Sequence, residues 1–269
     1  MSFSSDSFSN DSFGIDHIVI AVADLDQARR DYEALGFTVL PGGEHPRGSR
    51  NALVAFADGA YLEIIAFPVA VPGFRWWELF RTAGPGFVDY ALLPGDFEAG
   101  IARQRAAGIA LDGPVEGSRL QPDGSRITWR SARPVEPDIP FLVTDVTPRD
   151  LRVPAGAARR HPNGVTGIAG VTVAVRDLAR TTARYRALLG REPLAKGAVP
   201  GFGFGLVQFG LGRQVLSLVE PRATAPTAPA AHLAARGQGL CAVSFHGPGD
   251  AALAAGLSHG AALEIVGAP

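Results

Sequence analysis

The sequence predicts an α+β fold assembled from repeated βαβββ modules that pair into curved mixed sheets around a cleft. Three observations carry this expectation. An alternating apolar segment is followed by a capped helix, the same pattern returns at fixed spacing, and Asp-Gly dipeptides separate the later apolar runs.

The first module opens at GIDHIVIAVADLDQARRDYEALGF. Ile18, Ile20 and Val22 alternate with His17, Val19 and Ala21, the period of a strand with two different faces. Asp24 stands where a helix N-cap belongs, because its short carboxylate can accept from the free N–H groups of a first turn. Ala28, Tyr32 and Leu35 follow at helical spacing, and Gly36 ends the helix. Strands are expected at 38–40, 51–56 and 61–67, with Asp58-Gly59 turning between the last two.

Gly86, Asp96 and Gly108 repeat the places of Gly14, Asp24 and Gly36, with the same separations of ten and twelve residues. Strands at 125–132 and 140–145, turned at Asp123-Gly124, complete that second module. A third copy starts at Gly167, with Asp177 ten residues on and strands at 204–209 and 214–220. A fourth starts at Gly239, with a helix from Asp250 and a strand at 262–266, and is short of strands. The expected organisation is a disordered tail at 1–13 and an N-terminal domain at 14–146, built from modules 14–68 and 86–146. A linker at 147–166 and a shortened, degenerate C-terminal domain at 167–269 follow. Pairing is required because one module alone leaves an uncovered sheet and open edges.

Charge is balanced, 25 basic residues against 26 acidic, with no basic stripe to suggest nucleic acid. Hydrophobic residues at 46% suffice for a core, and no apolar run reaches the eighteen or so residues of a membrane span. The Ser/Asp-rich start has neither the basic nor the apolar region of a secretory signal, so cytoplasm is the expected compartment. A small molecule is the expected partner, and homodimerisation is left open. The single cysteine, Cys241 in GLCAVSF, cannot form an intramolecular disulfide and reads as core rather than nucleophile. There is no Walker, H-E-x-x-H or C-x-x-C motif.

The duplicated βαβββ pattern opened by DHIVIAV resembles the vicinal-oxygen-chelate superfamily, with its glyoxalase/bleomycin-resistance/dioxygenase fold. More narrowly, HPRGSRNALVAFADGAYLEIIAF resembles the glyoxalase-like subgroup, in which His-Pro, Gly-Ser/Thr-x-Asn and Tyr-Leu-Glu strings recur. RWWELFRTAGPG and HPNGVTGIAGVTVAV are similar to segments of the same subgroup. The resemblance spans nearly the whole chain after the tail and is specific for fold. The superfamily's chemistries run from isomerases and dioxygenases to metal-free binding proteins.

The resemblance implies a divalent ion (Zn, Fe, Mn or Ni) held from the first and last strands of paired modules. His17 takes the first-strand place, either as ligand or as a hydrogen-bonded histidine lining the cleft. Glu63, in YLEIIAF, sits among aliphatic side chains and needs a partner. A metal, a substrate hydroxyl or an arginine would serve, and the residue could be ligand or general base. Asp89 precedes Asp96 by seven residues as His17 precedes Asp24, so repeat symmetry offers it as a third ligand. Common metal-binding members have His or Gln there, and aspartate departs from that pattern. For a fourth ligand the strand IPFLVTDV offers only Thr144 and Asp145.

His45, in the glycine-rich loop GGEHPRGSRN, is an acid/base group, a third ligand or a surface histidine. Asn51 shares a face with Leu53 and Ala55 and is placed to hydrogen-bond a substrate carbonyl, while Arg50 faces away. Trp77 and Trp129 are the expected aromatic substrate contacts, with module bridging and core packing as the alternatives. Gly170 and Val243 stand in the place of His17 in the later modules, so no second metal site is expected.

The expected function is a metal-dependent isomerase or lyase that polarises a small oxygenated substrate and passes through an enolate, with Glu63 or His45 moving the proton. The alternatives are a metal-free small-molecule binding or resistance protein of this fold and an extradiol-type dioxygenase.

Overall fold

The structure, a computed structural model, describes residues 13–199, 203–222 and 226–267. The first module is β1 (Phe13–Val22), α1 (Leu25–Ala34), β2 (Leu40–Glu44), β3 (Arg50–Ala55) and β4 (Tyr61–Ala66). After α2 (Arg75–Ala83) the second is β5 (Gly86–Pro94), α3 (Phe97–Ala106), β6 (Leu111–Leu120), β7 (Arg126–Pro134) and β8 (Phe141–Asp145). The eight strands close into a barrel in the order β1-β4-β3-β2-β6-β7-β8-β5. Within each module the first and last strands pair in parallel, and the modules join through the antiparallel β1–β5 pair.

The expected caps form. Asp24 accepts from the backbone N–H of Gln27, Asp96 from that of Ala99 and Asp177 from that of Arg180, each at 2.9 Å. The alternation in β1 sorts as its period requires. Ile18, Ile20 and Val22 pack outward with Tyr32 of α1, whereas Val19 and Ala21 join Ile65, Val88 and Phe141 inside the barrel.

The chain continues through α4 (Arg149–Arg152) and a 3₁₀ turn at Gly156–Arg159. Next come β9 (Gly167–Ala174), α5 (Leu178–Leu189), β10 (Ala195–Val199), β11 (Phe204–Leu211) and β12 (Gln214–Pro221). The last elements are α6 (Ala228–Arg236), β13 (Gly239–Gly247), β14 (Ala251–Ala252) and β15 (Leu263–Gly267). These seven strands make one open sheet, β10-β11-β12-β9-β13-β15-β14. It shares a hydrophobic core with the barrel's outer face, and Tyr90 of the barrel hydrogen-bonds Tyr185 of α5.

Four local expectations are corrected. The strand expected at 38–40 starts only at Leu40, because Thr38 is drawn aside by hydrogen bonds to His161 Nδ1 (3.0 Å) and Arg160 O (2.6 Å). β6 was not expected at all, since its segment LDGPVEGSRL has glycines, a proline and no clean alternation. The helix expected from Asp250 is a short strand and a single turn. Leu253 N–H pairs with Leu263 O, and only Leu257 and Ser258 bond back to Ala254 before Gly260 turns at φ +79°. Phe13, expected in the tail, begins β1 and is buried; the rest of that tail lies outside the described residues. Among the described residues no helix is long and apolar enough to cross a membrane.

Candidate active site

The barrel encloses a cavity of about 230 Å³ that is partly open to solvent. Ligand pockets run from about 300 to 1,000 Å³, so this one suits a small molecule. Its walls are aromatic, with Tyr61, Trp76, Trp129 and Phe141, and its polar groups are His17, His45, Asn51 and Glu63 with the buried Arg119 and Arg152.

His17 and Glu63 converge here. Both point inward, His17 from β1 and Glu63 from β4, and His17 Nε2 lies 3.6 Å from Glu63 Oε2. A bulge in the β1–β5 pairing between Ile15 and His17 lets Asp16 sit beside its neighbour, the kind of re-aiming that bulges provide near sites. Asp16 Oδ2 is 2.6 Å from His17 Nδ1, and the imidazole stacks on Tyr61 with centroids 4.6 Å apart. Burial pushes the Asp16 carboxyl up, but Arg152, Arg149 and His17 outweigh it and hold the group well below its usual range. Asp16 is therefore an ionised acceptor, which puts the hydrogen on His17 Nδ1 and turns Nε2 toward Glu63.

Arg152 and Arg149 come from α4, in the segment expected as a linker. Arg152 reaches both oxygens of Asp16 at 2.8 and 3.1 Å, donates to Tyr61 Oη at 2.9 Å and binds Asp145 through Nε at 2.5 Å. Arg149 adds contacts to Asp16 at 2.6 Å and Asp145 at 3.1 Å. Asp145, weighed above as a ligand, is thus committed to arginines.

Glu63 Oε1 accepts from Asn51 Nδ2 at 2.7 Å and lies 3.6 Å from His45 Nε2. Asn51 bonds the carboxylate, whereas a substrate carbonyl was expected. His45 is brought in by a tight turn in which its N–H bonds Ser49 O (2.9 Å) and its carbonyl accepts from Gly48 N–H (2.8 Å). Burial raises the Glu63 carboxyl, yet His45, His17, Asn51 and Arg119 together hold it below its ordinary value. Burial pushes the His45 imidazole down, only partly opposed by Glu63, so it is neutral near pH 7. An ionised carboxylate with a neutral imidazole beside it can take up and hand on a proton.

Asp89 does not join them. It accepts from Arg75 and, at 2.8 Å, from Trp76 Nε1, while its other oxygen accepts Tyr90 N–H at 3.0 Å. It anchors α2 to the barrel. Trp77 is also displaced from its expected role, packing on Phe67 and Phe80 outside the cavity while Trp76 lines it. The apolar stripe Trp76, Leu79, Phe80, Ala83 at helical spacing was the signal for Trp76. Trp129 does line the cavity and lies flat over Gly117, where a Cβ would come within 2.4 Å of the indole nitrogen. Asp16, Arg119, Arg133, Arg149 and Arg152 were missed, since nothing in a sequence marks an arginine as buried.

The donor set does not fit the implied metal. Two histidines and a carboxylate are a composition that holds metals, but His17 and His45 address different oxygens of Glu63. Among the described residues no three His, Cys, Asp or Glu side chains form a metal-binding cluster. Arginines line the same hollow and would oppose a dication.

The glyoxalase-like domain family model matches residues 15–189, and the chain belongs to that family. No curated protein matches it. A hypothetical protein from Staphylococcus aureus is similar in fold, with TM-score 0.72 and 13% identity over 95% of this chain and 100% of that one. So is a triple mutant of 4-hydroxymandelate synthase from Streptomyces coelicolor, with TM-score 0.61 and 18% identity over 87% and 71%. A xylose isomerase-like TIM barrel/4-hydroxyphenylpyruvate dioxygenase fusion protein matches with TM-score 0.54 and 19% identity, over 89% of this chain but 37% of its own. At these identities the likeness is one of fold.

Proposed function

We propose that this chain is an enzyme of isomerase or lyase type that moves a proton on a small oxygenated molecule held inside the barrel. Glu63 takes the proton from a carbon beside the substrate oxygen. The observation that carries this reading is the state of Glu63: buried, kept ionised, with Oε2 accepting no hydrogen bond among the described residues and facing the hollow beside His17. His45 relays the proton, and His17, locked by Asp16, keeps the carboxylate's position. Negative charge developing on the substrate oxygen meets Arg133, whose Nη1 makes no hydrogen bond among the described residues and lies 3.6 Å from Asp89 Oδ2, and whose guanidinium is 4.3 Å from the ring centres of both Trp76 and Phe141. No step depends on a metal, because the residues present do not form its site.

The test is deuterium wash-in. Small carbonyl compounds, neutral and anionic, are incubated with the protein in D₂O and followed by NMR. Exchange next to the carbonyl is expected on at least one, falling about 100-fold or more in Glu63→Gln. Exchange no faster than the Glu63→Gln background across the whole panel would overturn the proposal.

A further inference from the structure

Arg119 is 3% exposed, lines the cavity, and makes no ion pair among the described residues. Its Nη2 donates a long hydrogen bond to Arg152 O at 3.3 Å, and its Nε is buried with no acceptor among the described residues. A buried guanidinium with open donors is costly unless something anionic meets it. The nearby carboxylates are already committed. Asp16 and Asp145 hold Arg149 and Arg152, Asp89 holds Arg75 and faces Arg133, and Glu63 is shared among His17, His45 and Asn51. Around the hollow Arg75, Arg119, Arg133, Arg149 and Arg152 face Asp16, Glu63, Asp89 and Asp145, five guanidiniums to four carboxylates. At the rim, exposed Arg47 and exposed Glu116 cancel.

We infer that the ligand of this cavity is a small carboxylate with a flat, unsaturated body, its carboxylate taken by Arg119 and its body lying against the aromatic wall of Tyr61, Trp129 and Phe141. The inference rests on reading this cavity as the substrate's. A guanidinium fork matches a carboxylate, and the exclusion of water strengthens the pairing. The ligand supplies the missing fifth negative charge. Burial pushes the Arg119 guanidinium below its ordinary range, opposed only in part by Tyr61 and Glu63. The small volume suits a single ring or its equivalent, with the carbon to be deprotonated left facing Glu63.

The experiment compares benzoate with benzamide, its neutral counterpart of the same shape, by calorimetric titration of the whole chain. Benzoate is expected to bind wild type and Glu63→Gln at least about tenfold more tightly than benzamide does, a difference of about 1.4 kcal/mol. In Arg119→Gln, checked for a cooperative melt, the preference should fall to about twofold or less. Arg119→Lys keeps the charge without the fork, so it should bind benzoate more weakly yet still prefer it. Equal binding of the two probes to wild type or to Arg119→Lys, an undiminished preference in Arg119→Gln, or no millimolar binding of benzoate would each overturn the inference. Because no turnover is read, these results stand apart from deuterium wash-in, and either proposal can fail alone.

Discussion

Arg152 grips Asp16 through both terminal nitrogens, at 2.8 and 3.1 Å, although 136 residues of chain separate them. The contact ties the segment after the barrel to the bulge beside His17, so a structural ion pair sets the orientation of a site residue. Arg152→Ala leaves a buried carboxylate with Arg149 as its one guanidinium and His17 as its remaining hydrogen-bond donor. The expected loss is about 3 kcal/mol, read as an earlier midpoint in urea unfolding. An unchanged midpoint would mean that the clamp is dispensable.

Asp89→Asn tests the other aspartate. It weakens the acceptor shared by Arg75 and Trp76, so α2 should dock less firmly and stability should fall by about 1–3 kcal/mol. The same urea titration measures it, and wild-type stability in this variant would refute the anchoring role.

Chelation should change nothing. Protein purified without chelator is expected to hold well under one equivalent of Zn, Fe, Mn or Ni by elemental analysis, and EDTA should leave melting and wash-in unaltered. A stoichiometric ion lost on Glu63→Gln would restore the metal-dependent reading.

Stability should fall on mild acidification. Burial holds His45 and His161 below the ordinary 6.5, and burial with Arg236 holds His232 down at about 4. The unfolded chain binds those protons first as pH drops through about 6.5, so the folded state loses ground from there downward. Asp16 and Glu63 have the opposite charge but the same direction. Their contribution is intact above the ordinary carboxylate values of 3.8 and 4.5 and is lost as pH falls through their depressed folded values. Urea melts across this range check the slope, and His232→Asn should flatten its upper part.

The modules were legible because local chemistry repeats. An aspartate that caps and a glycine that stops are needed wherever strand passes to helix, and Asp24, Asp96 and Asp177 mark those places whatever packs around them. His17 and Glu63 were legible for a related reason, since a polar side chain on the inward face of an apolar strand has few explanations. Asp89 shows where that reasoning fails. Repeat symmetry places a backbone position, but α2 supplies Arg75 and Trp76 and takes the carboxylate. The arginines were invisible because their burial is decided by closure of the barrel and by a segment that reads as solvent-exposed. β6 was missed because its pairing with β7 holds it as a strand against its own glycines and proline.

The barrel is closed unevenly. Its two half-shells share eight residue pairs along β1–β5 but only one, Glu44 with Leu120, along β2–β6. Gly43 makes that approach possible, for a Cβ there would fall 2.0 Å from Leu120 O. The geometry is that of a clam, with a broad hinge and a narrow latch, and Arg119 sits next to the latch. Transient parting of the shells costs least there. The amide protons of the β2–β6 junction should trade with solvent well before those of the hinge, and a guest filling the hollow should slow them.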